Sequence, residues 1–310
     1  GPMKPRDISK PSDTLVAPAR PGSRAIPAAA KVAMKSAQVD RYQHRIDRAQ
    51  SEAAKARGYR KGRGTVEGPK GRFELTEHVD FDDGWGSGQT RFEDLVQRPT
   101  TVSEDQAKSV LTFNQSPDLG FDRSVNPYRG CEHGCTYCYA RPSHAFMGLS
   151  AGLDFETKLF AKYDVARLLE DALRKPGYQV APIALGTNTD PYQPIERELK
   201  LTSAILDVLD RCNHPVTIVT KSAGVLRDLD RLSDMARRGL VQVGLSVTTL
   251  DPGLSRLMEP RCSTPQRRID AMQQLSDAGI PVRVMASPMI PGLNDCELES
   301  ILSNARHAGA

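Results

Sequence analysis

From Ser124 onward the chain alternates between two rhythms of apolar and polar positions. Short apolar runs rich in β-branched residues, at 183–185, 216–220, 241–247 and 282–290, read as strands, and the stretch SVNPY at 124–128 opens another. Between them the apolar residues recur every three or four positions, as on one face of a helix. The stretch 162–175 carries Val165, Leu168, Leu169 and Leu173 in this way, and 201–212, 226–238, 265–279 and 297–308 repeat the pattern. Gly279 supplies a C-terminal stop for the fourth helix. Five strands and five helices alternating at spacings of about 25 to 30 residues predict an α/β fold of parallel strands joined by crossover helices. A nearly closed barrel wants at least one strand more, so the pattern predicts a partial (β/α)6-type barrel cut short after its fifth unit.

Ahead of this region the rhythm is absent. Residues 1–34 are rich in Pro, Ala, Ser and basic residues without a period, which predicts disorder. Residues 35–57 are helix-friendly, with a thin stripe of Val39, Tyr42 and Ile46. The glycines of 58–88 are not a phosphate loop, because no strand precedes them and no GK[ST] closes them. Phe73, Leu75, Val79, Phe81 and Trp85 instead give this stretch apolar side chains with which to dock, and 109–114 is a candidate strand. Three regions are expected: a basic, mostly disordered arm over 1–63, a loop-rich segment packing on the barrel over 64–123, and the barrel over 124–310.

Charge sharpens the first of these. Residues 1–63 hold 15 Lys and Arg against 5 Asp and Glu, leaving −6 for the rest of a chain whose net charge is +4. Such an arm is either a nucleic-acid or acidic-partner contact, through counterion release, or a solvated tail. It carries no aromatic-interleaved face, and its acid-poor composition also fits a transit peptide. No apolar run approaches the roughly 18 residues of a membrane span. Six cysteines, three of them in one motif, do not read as a disulfide scaffold, so a reducing compartment and the cytoplasm are expected. Gly1-Pro2 ahead of Met3 reads as a protease remnant.

The strongest chemical signal is Asn126 to Ala140, NPYRGCEHGCTYCYA. Cys131, Cys135 and Cys138 on one tight loop can hold three corners of a soft, multi-metal centre. His133 and His144 keep a zinc reading open, although no second cysteine pair follows, and buried structural thiols are a third reading.

The stretch CEHGCTYCYA resembles the radical S-adenosylmethionine (SAM) signature, Cx3CxΦC, with Tyr137 as the aromatic. FDRSVNPYRGCEHGC, ALGTNTDPYQPIE and SVTTLDP resemble an uncharacterised bacterial subgroup of the spore photoproduct lyase-like, or DNA photolyase, branch. The resemblance covers about residue 60 to the end. It implies a [4Fe-4S] cluster on the three cysteines, with SAM chelating the fourth iron. It further implies an external electron donor of flavodoxin or ferredoxin type, and a radical that abstracts hydrogen from a substrate. Tyr137 would lie near the adenine, Thr189 and Asp190 near the methionyl group, Lys221 at the carboxylate, Ser246 at the ribose and Ile290 against the adenine. Beside these stand plainer readings: Asp190-Pro191 as a turn, Ser246 as a satisfied strand-end hydroxyl, and Lys221 as a surface lysine.

Tyr139 matches a tyrosine that assists the lyase's radical relay, whereas Thr187 stands where the lyase keeps a hydrogen-donating cysteine. Repair of the same thymine dimer by the same route is therefore not expected. Glu259-Pro260 also matches the lyase pattern and is assigned a structural role. Cys212, Cys262 and Cys296 are expected to be buried filler, with Cys262 able to reach the site. The substrate is a nucleic acid on one reading, a small molecule or protein on another. A non-enzymatic iron–sulfur or zinc module is the alternative of a different class.

Overall fold

The computed structural model describes residues 100–310. Its order begins with β1 (Thr101–Glu104), β2 (Leu111–Phe113), β3 (Arg123–Val125) and β4 (Tyr128–Arg129). A 3-10 turn over Arg141–Met147, the short α1 (Leu153–Thr157) and β5 (Lys158–Ala161) follow. Then come α2 (Val165–Leu173), β6 (Ile183–Leu185), α3 (Glu196–Leu199), α4 (Leu201–Arg211) and β7 (Val216–Thr220). The chain continues through α5 (Leu229–Arg237), β8 (Val241–Ser246), α6 (Pro252–Met258), α7 (Pro265–Asp277), β9 (Val282–Met285) and α8 (Leu298–His307).

Six strands form one sheet in the order β2-β3-β6-β7-β8-β9. The pairs from β3 to β9 are all parallel, and β2 runs antiparallel on the edge. Five parallel strands laid down in chain order, each followed by helix, give the β/α winding expected from the spacing. Among the described residues β9 does not pair with β2, so the sheet is open.

The reason these segments are strands is burial on both faces. All three residues of β6 are buried, and β7 alternates buried with half-buried positions along Val-Thr-Ile-Val-Thr. Val125, Leu185, Ile218, Val243 and Leu245 then meet Leu169, Ile205, Leu209, Leu232, Met272 and Ile301 from the helices in one core. Helix ends follow local chemistry. Asp251 accepts from the Leu254 amide at 2.9 Å to open α6, and Pro265 sits at the first position of α7. Gly279, at φ +77°, lets the chain leave that helix.

Three differences from the sequence reading have physical causes. The stretch 124–128 is broken, because β3 stops before Asn126-Pro127 and Tyr128 passes to a second sheet of order β1-β5-β4. The start expected for the third helix, at 226, falls inside a 3-10 turn over Ala223–Asp228, opened by Ser222 capping the Gly224 amide. The strand expected over 282–290 ends at Met285, and the following loop returns across the strand ends. The candidate strand at 109–114 is observed as Leu111–Phe113 and pairs with β3 in the main sheet. The arm over 1–63, its helix over 35–57 and the docking residues Phe73 to Trp85 lie outside the described residues. No described helix is long and apolar enough to cross a membrane.

Gly186 follows β6 at φ +89°, where an added Cβ would lie 2.0 Å from the Val219 carbonyl oxygen of β7. Gly239 also has positive φ, at +68°, but nothing lies within 4 Å of its Cβ position. Gly239→Ala should therefore cost about 1–2 kcal/mol, the left-handed penalty alone. Gly186→Ala should cost clearly more, because a backbone atom must also move; urea unfolding midpoints of the two variants will show the order.

Candidate functional site

The cysteine loop is an excursion between two paired strands. Tyr128 and Arg129 of β4 pair with Ala161 and Phe160 of β5 and close its base. Gly130 starts the excursion at φ +79°, in a space where a Cβ would lie 2.7 Å from Leu159 Cδ2 and 2.8 Å from the Phe155 oxygen. The Cys131 amide donates to that same oxygen at 2.9 Å. Gln193, fully buried, accepts from the Glu132 amide at 2.9 Å and donates to the Gly130 carbonyl at 3.2 Å. The Thr136 amide donates to Met258 and the Arg261 amide to the His133 carbonyl, at 2.9 and 3.2 Å. Arg141 donates to the Cys135 carbonyl at 2.8 Å and pairs with the buried Glu156 at 2.7 Å. The loop is thus held by partners from three later segments.

All six cysteines are free thiols. Cys131 and Cys135 are buried, Cys138 is half-buried, and burial pushes the Cys138 thiol up to about 11. The Sγ of Cys262 lies 3.8 Å from that of Cys135, so it does reach the site. Cys212 and Cys296, expected to be filler, are exposed: one ends α4 and the other lies in the turn before α8.

The two histidines that kept zinc open are engaged elsewhere. His133 Nδ1 sits 3.3 Å from Asp190, and His144 Nε2 lies 2.8 Å from the Lys158 carbonyl. Among the described residues, no three His, Cys, Asp or Glu side chains gather closely enough to take a single ion. Three thiols on one loop suit a cluster in which each thiolate binds its own iron, and Cys262 stands beside them as a further thiol.

The other sequence-predicted residues lie along the C-terminal ends of β6, β7 and β8. Asp190 is the hub. Its carboxylate accepts from Thr220 Oγ1 at 2.6 Å, the Lys221 amide at 2.7 Å and the Tyr192 amide at 2.9 Å, besides His133. Burial opposes its ionisation, yet His133, Thr220 and the Lys221 amide hold its pKa down to about 2. Thr189 is buried and donates to the Tyr128 carbonyl at 3.2 Å, which ties the same loop to β4. Lys221 places its ammonium 5.7 Å from the centre of the Tyr137 ring. Ser246 is buried at the end of β8.

Ile290 lies on the loop after β9, where Asn294 accepts from its amide at 2.7 Å and donates to the Thr248 carbonyl at 2.7 Å. Tyr137 and Lys221 therefore meet, Asp190 braces both sides of that meeting, and Ile290 is brought back beside β8. Tyr139 stands apart, 75% exposed. Thr187 hydrogen-bonds with Asn126 at 3.1 Å.

What the sequence reading underrated is Glu259. Its buried carboxylate accepts from the Tyr137 hydroxyl, from Thr248 Oγ1 and from Arg268, itself fully buried on α7. Arg268 also donates to the Ser263 and Ser246 carbonyls, at 2.7 and 2.9 Å. Burial pushes the Glu259 carboxyl up, but Arg268 and Lys221 outweigh it and keep it below its ordinary value. Arg268 looks like one more polar residue in QRRID, and only an unbroken apolar face around it could have pointed inward. Arg268→Met should cost about 3–5 kcal/mol, because it strands a buried carboxylate. The double variant with Glu259→Gln should regain much of that loss in urea unfolding, since glutamine still accepts from Tyr137 and Thr248.

Comparison with known proteins follows the same residues. A family model described as the radical SAM superfamily matches residues 125–305. An uncharacterized protein of Mycobacterium tuberculosis is 38% identical over 215 residues, 68% of this chain and 63% of its own length. One from Methanocaldococcus jannaschii is 31% identical over 190 residues, 61% and 69% of the two chains. The chain thus spans somewhat under two thirds of the mycobacterial relative. A solved mutant spore photoproduct lyase with bound AdoMet and dinucleoside spore photoproduct superposes at TM-score 0.48, with 14% identity, over 67% of this chain and 56% of that one. The family match takes in the cysteine loop and all five parallel strands but the first two residues of β3, and this chain belongs to the radical SAM superfamily.

Proposed function

We propose that the chain is a radical SAM enzyme that abstracts hydrogen from a substrate, with nucleic acid one candidate substrate class and a small molecule or protein the other. What supports this reading is the convergence of two features: three free thiols on a pinned loop, and a row of polar strand ends gathered beside them.

Cys131, Cys135 and Cys138 would hold three irons of a [4Fe-4S] cluster and leave the fourth for SAM. When bound, the reduced cluster and SAM supply a 5′-deoxyadenosyl radical able to take a hydrogen atom. The chain's own work is to place and shield. Lys221 offers a positive charge next to Tyr137, suited to the SAM carboxylate. Tyr137, anchored by Glu259, and Ile290, anchored by Asn294, offer surfaces for the adenine. Ser246, buried at the end of β8, would be the group for the SAM ribose. Asp190 and Thr189 act by holding the GTNTD loop, since the carboxylate of Asp190 is already surrounded by protein donors. Tyr139, next to the last thiol and exposed, is free to face a substrate radical. The electron comes from an external donor of flavodoxin or ferredoxin type.

Anaerobic reconstitution should give about four irons per chain, an absorbance shoulder near about 400 nm and dithionite-dependent 5′-deoxyadenosine. Cys135→Ala should remove both the cluster and SAM cleavage. Tight zinc with no cleavage would instead mark a metal-binding module.

The net charge of +10 on residues 1–63 is what makes nucleic acid a candidate substrate beside a small molecule or a protein. Binding of the full chain to DNA or RNA should weaken steeply with salt and vanish when residues 1–63 are deleted. Salt-independent or absent binding would leave the arm a tail and turn the search to small molecules and proteins.

A further inference from the structure

Beside the cysteine loop lies a cavity of about 190 Å³ that the chemistry above does not use. Among the described residues its wall includes four arginines, Arg197, Arg227, Arg261 and Arg267, and no Asp or Glu. They come from three separate stretches: α3, the 3-10 turn after β7, and the segment running from α6 into α7. Convergence of this kind is not the solvated face of one helix.

Charge compensation among the four is uneven. Arg261 pairs with Glu132 at 3.2 Å. Among the described residues Arg227 donates to the carbonyls of Gly224 and Glu196, each at 3.2 Å, lies over the Tyr192 ring, and its charge also acts on the buried Glu196 carboxyl. Among the described residues Arg197 and Arg267 have no carboxylate partner, and both are exposed at the mouth. Two guanidinium charges, those of Arg197 and Arg267, therefore face one recess without a carboxylate partner among the described residues.

The start of α7 adds to this. Thr264 lines the cavity and holds the N-cap position, yet its side chain makes no capping bond, and the thirteen-residue helix begins there. With Thr264 and Arg267 both in the wall, the positive end of this helix's dipole lies at the same space, although Pro265 at its first position offers no amide hydrogen. Like charges gathered in this way repel one another, and a single carboxylate offsets only one of them. A phosphate monoester brings about −1.5 to −2 charges and three acceptor oxygens, and successive diesters of a strand bring one charge and two such oxygens each; both suit the arginine forks and the helix end.

We infer that this cavity is a phosphate-binding site, taking either the monoester of a nucleotide or a diester of a nucleic-acid strand. Its occupant lies next to the cysteine loop, because His133 and Cys262 share the wall and Cys262 Sγ is 3.8 Å from Cys135 Sγ. The site stands on the arginines alone and does not depend on the reaction proposed above.

The test is isothermal titration calorimetry on the full chain without SAM. Three probes are used: inorganic phosphate, uridine 5′-monophosphate, and a single-stranded oligonucleotide with no terminal phosphate. The wild type should bind inorganic phosphate saturably. The variant Arg197→Glu with Arg267→Glu should bind it at least tenfold more weakly, while its iron content and its absorbance after reconstitution stay unchanged. A parallel loss for the mononucleotide alone assigns the monoester as the source, and a loss for the oligonucleotide assigns the diester. Absence of saturable binding by the wild type to all three probes, or equal affinities in the variant, overturns the site. Because no probe requires SAM cleavage, its failure and that of the enzyme reading are separate results.

Discussion

A carboxylate and a guanidinium, both out of contact with water, join the cysteine loop to the sheet. Glu259 receives Tyr137 from the loop, Thr248 from beyond β8 and Arg268 from α7. A buried ion pair contributes little net stability over apolar residues of the same shape, but breaking it is expensive. What it fixes is arrangement. With the charges buried, Tyr137 has one low-energy position, and so does the turn that carries Pro260, Arg261 and Cys262.

The same logic repeats around the strand ends with neutral groups. Asn126, Gln193 and Asn294 are buried amides, each bridging two backbone segments. An amide side chain can donate and accept at once, so one residue can lock a loop in two directions. Asp190 plays the charged version of this part. Irregular backbone at the ends of β6, β7 and β9 is thereby held with the rigidity of the strands below it, which a site needs if its groups are to stay in register.

Much of this could be read from the chain, and the division has physical sense. The strands at 183–185 and 216–220 have the observed boundaries, because both are short β-branched or apolar runs whose identity is local. The sheet of β1, β4 and β5 was invisible: Thr101–Glu104 and Tyr128–Arg129 become strands only by pairing with β5. Helix α1 was hidden in a similar way, since all five residues of LDFET are buried, acids included. At the site, the spacing of Cys131, Cys135 and Cys138 is a local signal and was legible. That Cys262 comes to Cys135, that Arg268 turns inward, and that four arginines share one recess are facts of distant segments meeting.

The base of the cysteine loop has one more implication. Because β4 and β5 are already zipped on either side of residues 130–157, the two ends of that excursion are held together whatever its middle does. Loop closure is one of the larger entropic losses in assembling a site from a flexible chain. Here it is incurred as the sheet forms. The three thiols are thereby carried on a loop whose two ends are fixed, so any metal they held, as proposed above, would have less chain left to order.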